Sequence, residues 1–165
     1  MTAADAVRPA REHSLPVFVV AASAFSLPYI ASKVVHALQA RLGVHGGPIV
    51  TDTNTAAFGS PGEIAAAQWG NAGIGVVIAL VTVLPLAAWT RRWRRPIAAI
   101  PLACIGVSLL ALGIVMLVRA IALGLGGVLF AVYLLIWSAM ECVAAARVAR
   151  LAGRTKARDP AIPES

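Results

Sequence analysis

The chain has 165 residues, 59% of them hydrophobic and 13% charged, with a mean hydropathy of +0.83. A soluble domain of this size has too little interior to cover so many apolar side chains, so the composition points to a bilayer as the solvent. The formal net charge of +7 sits in short segments between apolar runs, not on a basic face with interleaved aromatics; it reads as membrane topology and excludes nucleic acid as a partner.

Residues 1–14 are expected to form a disordered extension ahead of the first apolar run, which extends from Leu15 to about Leu38. At about 1.5 Å of rise per residue this run crosses a hydrocarbon core of roughly 30 Å. Within it Ser26, Tyr29, Lys33 and His36 follow spacings of three, four and three, which puts them on one helical face. An alternative for this run is a secretory signal, because Ala37-Leu38-Gln39-Ala40 loosely resembles a cleavage site; the length of the run and the size of Leu38 argue against it.

Residues 39–64 form the one long connection, and Gly46-Gly47-Pro48, Thr51 to Thr55 and Gly59-Ser60-Pro61-Gly62 predict turns and coil there. His45 and Asp52 share this loop without ligand spacing, so no metal is expected. The second span covers about 65–89, with Gln68 and Asn71 near its start and Gly75 offering close backbone approach one turn further on. Arg91, Arg92, Arg94 and Arg95 separate it from a third span over about 96–122, which carries Arg119 near its far end. Gly124, Gly126 and Gly127 predict a short turn and a tight hairpin with the fourth span, about 125–149. Residues 153–165 are expected to be a disordered basic tail. Pro28, Pro85 and Pro101 should bend or loosen their helices.

The predicted architecture is therefore an all-α integral membrane bundle of four transmembrane helices, occupying residues 15–152. Its direction follows from the cations, which are retained on the cytoplasmic side. With both termini cytoplasmic, Arg8, Arg11, Arg91, Arg92, Arg94, Arg95, Arg147, Arg150, Arg154, Lys156 and Arg158 lie inside, and Lys33, Arg41 and Arg119 lie outside. Trp89 and Trp93 beside the arginine run suit an inner interface belt.

Ionisable groups inside spans mark places to look for function. Tyr29, Lys33, His36, Gln68, Asn71 and Arg119 fall near one depth. They are candidates for an outward polar vestibule able to hold a carboxylate, a phosphate or a lipid headgroup. Snorkelling cations and interhelical amides would give the same pattern. Glu141 is the only acid inside the predicted spans, about 12 Å from the inner end of the fourth at the helical rise. It is a candidate proton-coupling carboxyl or a structural hydrogen-bonding group, with Arg91 or Arg92 as possible partners. Cys104 and Cys142 both fall in the inner third of their spans and read as small hydrophobes.

Leu27-Pro28-Tyr29 through Lys33, with Arg41-Leu42-Gly43-Val44 and Gly46-Gly47-Pro48, resembles the first-helix region of small uncharacterised four-helix membrane proteins of high-GC actinobacteria. The resemblance implies a bacterial plasma membrane and no chemistry. With no phosphate loop, HExxH or GxSxG motif, the sequence predicts a non-enzymatic accessory or interaction subunit with no cofactor, whose partners are the lipid bilayer and a membrane protein or further copies of itself. The alternative is a small oligomeric transporter or channel unit using the vestibule and Glu141. The four-helix multidrug exporters look superficially similar, but their essential acid lies in the first helix, where this chain has Lys33.

Overall fold

A computed structural model describes residues 14–43, 59–87, 95–123 and 127–156. Among these residues the chain is all-helical: α1 (Ser14–Ala24), α2 (Ser26–Leu38), α3 (Pro61–Val83), a 3-10 turn (Leu84–Leu86), α4 (Arg95–Leu123) and α5 (Val128–Lys156). Four segments are long and apolar enough to cross a membrane, namely Val17–Leu38, Pro61–Leu86, Ile97–Ala122 and Val128–Arg150.

The first segment is broken at Phe25, between α1 and α2. Pro28 has no N–H for the carbonyl of Ala24 and its ring crowds that carbonyl, so the ladder fails one turn before the proline. Pro85 acts differently. It sits in the 3-10 turn that closes α3, where the Ala87 N–H donates to the Leu84 carbonyl at 3.0 Å and Ala87 turns extended. Pro101 lies inside α4, which continues through it.

Two boundaries differ from expectation. The stretch read as the end of the long loop starts α3 instead: Ser60 caps the helix, Pro61 follows at the first helical position, and Glu63 completes a capping box. The Glu63 N–H donates to Ser60 Oγ at 3.2 Å, and the Ser60 N–H to Glu63 Oε2 at 2.8 Å. At the other end of the chain α5 runs on to Lys156, beyond the point where the tail was expected to begin. Residues 44–58 and 157–165, with His45, Asp52, Arg91, Arg92, Trp89, Trp93, Gly124 and Gly126, lie outside the described residues.

Helices α4 and α5 form the closest pair, and α2 pairs with α3. Glycine permits the first contact. A Cβ on Gly106 would stand 2.6 Å from Cys142 Sγ, and one on Gly113 would stand 2.9 Å from Leu135 Cδ2. The approach lets Ser138 Oγ donate to the Gly106 carbonyl at 2.7 Å. Gly75 plays the same part between α3 and α2, where a Cβ would meet Ile30 Cγ1 at 2.7 Å and Tyr29 Cδ1 at 2.9 Å.

Helix α1 touches both α3 and α5, whereas α3 and α4 make only a slight contact. The small-residue core at one end joins Val19 and Ala22 of α1 to Leu102 of α4 and Ala144 and Val148 of α5. Beyond the break, α2 meets α5 through rings. Phe25 stacks on Tyr133 with centroids 5.9 Å apart, Tyr29 on Phe130 at 6.4 Å, and Tyr29 tilts against Trp137 at 5.8 Å. The Tyr133 hydroxyl donates to the Phe25 carbonyl, tying α5 to the break itself.

Candidate functional site

Glu141 is fully enclosed in the bundle. It is 0% exposed, as are Thr82 of α3 and Ser26 of α2. Thr82 Oγ1 donates to Glu141 Oε1 at 2.8 Å, and Trp137 Nε1, one turn earlier on α5, donates to the same oxygen at 3.2 Å. The other oxygen, Oε2, is buried with no hydrogen-bond partner among the described residues. The carboxyl thus links α3 to α5 through one oxygen and keeps the other free to carry a proton or accept a further donor. Phe130, Tyr133, Trp137 and Glu141 follow spacings of three, four and four, so the aromatic column of α5 ends on this carboxyl.

Towards the end where α2 stops and α3 begins, Lys33, His36 and Gln68 are buried between those two helices, at 6%, 5% and 5% exposure. The Lys33 ammonium donates to the Gly43 carbonyl at 3.1 Å and lies 5.5 Å and 5.8 Å from the ring centres of Tyr29 and Phe130. Gln68 Nε2 donates to the Arg41 carbonyl at 3.0 Å. Ser32 Oγ stands 3.5 Å from His36 Nδ1. Lys33 and Gln68 thereby hold down the first residues of the long loop.

The chain turns there through a Schellman arrangement. The Arg41 N–H reaches the His36 carbonyl at 2.9 Å and the Ala40 N–H the Ala37 carbonyl at 3.3 Å, with Ala40 at φ 46°.

The six candidates for a vestibule therefore divide. Lys33 and Gln68 form a clamp on the loop, with Tyr29 beneath the ammonium, and His36 is buried on α2 beside Ser32. Asn71 is half-buried on α3, and Arg119 is exposed on α4. Cys104 and Cys142 are both free and exposed.

Between α3 and α4 lies an apolar cleft of about 320 Å³, bordered by Ile74 and Ile78 on one side, Ser108 and Leu112 on the other, and Tyr29 and Trp137 at its base. Sequence spacing shows the rings of α5. It does not show that Thr82 meets Glu141, or that α3 and α4 stand apart, because neither follows from a period within one helix. No protein family, curated protein or solved structure matches the chain.

Proposed function

We propose that the chain is a multi-pass protein of the bacterial plasma membrane, both termini cytoplasmic, acting without catalysis as an accessory or interaction subunit of a membrane assembly. Insertion is supported by where the apolar side chains point. Within the best windows of the four segments only 22% of residues in three, and 39% in the fourth, are buried inside the chain. The remaining apolar surface calls for lipid or partner helices. The orientation is supported by the eleven cations on one side against three on the other.

The observation that carries the interaction reading is a seam along α4. Ile100, Val107, Ile114 and Ile121 repeat every seven residues and are 61%, 61%, 49% and 72% exposed. Leu110 and Leu117 fall between them at the complementary heptad position. β-branched residues at one position and leucine at the other form a knobs-into-holes surface for one further helix. A photocrosslinking side chain placed at Ile114 in native membrane is expected to give a discrete protein adduct, from a partner or a second copy. Adducts with lipid alone would end this reading.

A second reading, a small proton-linked transporter or channel unit, draws on the unpartnered Oε2 of Glu141. It requires that Glu141→Gln abolish proton-linked flux in proteoliposomes; flux unchanged by the substitution removes the carboxyl from any such mechanism.

A further inference from the structure

We infer that the cleft between α3 and α4 is a lipid site, taking one acyl chain of an anionic phospholipid from the surrounding bilayer while the phosphate pairs with Arg119. The inference rests on the membrane reading above. The cleft exists because α4 leans on α5 and α3 on α2, leaving only a slight contact between α3 and α4. Its walls are open as well as apolar, with Ile74 56% and Leu112 43% exposed. The gap therefore opens sideways through the apolar band of the bundle.

Volume and chemistry select the occupant. At about 320 Å³ the cleft is at the small end of ligand pockets. A helix with side chains is about 10–12 Å across and rises about 5.4 Å per turn, so even one turn would not fit. Water gains little from walls that are almost wholly hydrocarbon, and an unfilled gap forfeits dispersion contacts along its length. A flexible hydrocarbon chain satisfies both conditions, and the bilayer supplies it.

Charge selects the headgroup. Arg119 lies two turns, or about 10.5 Å, beyond Leu112 on the same face of α4, between the directions of Ser108 and Leu112. It stands above the cleft and is exposed, while the ammonium of Lys33 on α2 is already engaged by the Gly43 carbonyl and two rings. Asn71, one turn beyond Ile74 on the opposite wall, adds an amide at the rim. Glu63, the acid at the start of α3, has its carboxylate closed onto Ser60 in the capping box. The rim is therefore cationic and matches a phosphate that carries net charge.

The test is native mass spectrometry of the full chain in mild detergent, titrated with phosphatidylglycerol and with phosphatidylcholine of identical chains. One phosphatidylglycerol should be retained at least several-fold more tightly than phosphatidylcholine. Arg119→Gln should remove that preference, and Ser108→Phe, which fills the cleft, should weaken both lipids about tenfold. Equal retention of the two lipids by the unaltered chain, or binding indifferent to Ser108→Phe, overturns the site.

Should Ser108→Phe fail to fold, Trp137 at the base of the cleft reports directly. In a chain with Trp69, Trp89 and Trp93 replaced by Phe, brominated phosphatidylglycerol should quench its fluorescence more than brominated phosphatidylcholine, and equal quenching refutes the proposal. Alkaline extraction of membranes separates the two levels. A chain released to the supernatant defeats the membrane reading, and one retained in the pellet without lipid preference defeats only the cleft.

Discussion

Glu141 takes both of its hydrogen bonds on one oxygen, which gives its substitutions a definite order. Leucine removes the acceptor and leaves the Thr82 hydroxyl and the Trp137 N–H buried and unpaired, a loss of about 2–6 kcal/mol at the usual penalty for two orphaned groups. Glutamine keeps a carbonyl oxygen at the Oε1 position and puts its amide where Oε2 has no partner, so Glu141→Gln should stay within about 1 kcal/mol of the unaltered chain. Thr82→Val deletes a single donor and should cost about 0.5–1.5 kcal/mol, the range of interhelical hydrogen bonds in membranes. Equilibrium unfolding in mild detergent checks the order, and a Gln variant as unstable as the Leu variant would contradict the geometry. Glu141 stands out in the sequence as a lone acid in apolar surroundings. Its partner does not, because Thr82 lies 59 residues away on another helix.

At the level of elements, helix ends and helix contacts are decided by a few residues whose backbone requirements are sharp. Ala40 holds the left-handed position that ends α2, φ 46°, where glycine is the residue without steric penalty. Ala40→Gly should stabilise the chain by about 0.5–1 kcal/mol, visible as a raised melting temperature in detergent, since an L-residue there costs about 1–2 kcal/mol before the lost entropy of glycine is subtracted. At the α4–α5 contact the expected change has the opposite sign. A methyl on Gly106 would meet Cys142 Sγ at 2.6 Å and the Cys142 backbone nitrogen at 3.3 Å, so the helices must part and Gly106→Ala should cost about 1–3 kcal/mol. The close approach at Gly75 is legible in the sequence, as a glycine one turn from Asn71. The start of α3 is legible only as a conflict: Gly59, Pro61 and Gly62 suggest a turn, while Ser60 and Glu63 carry a capping pattern that prevails because it pairs both ends of the box.

For the whole molecule, hydropathy gives the four long segments, but apart from the polar face of α2 the helices are uniformly apolar and carry no stripe that says which face meets which neighbour. The order of packing is set instead by Gly75, Gly106 and Gly113, by the rings on α2 and α5, and by hydrogen bonds such as Ser23 Oγ to the Ala79 carbonyl. Direction across the membrane is a separate matter, because packing is the same whichever way the bundle inserts. It depends on the distribution of cations, and four of the eleven assigned to the inner side sit together at Arg91, Arg92, Arg94 and Arg95. With both termini cytoplasmic, green fluorescent protein fused to the carboxyl terminus should fluoresce and alkaline phosphatase at the same point should be inactive, whereas phosphatase inserted between residues 44 and 58 should be active. Changing those four arginines to glutamine leaves seven cations inside against Lys33, Arg41 and Arg119 outside. The bias is then reduced and held only by the two termini, so part of the population should invert and show phosphatase activity at the carboxyl terminus. An active carboxyl-terminal phosphatase in the unaltered chain would reverse the proposed orientation, and would place Arg119 and the rim of the lipid cleft on the cytoplasmic leaflet.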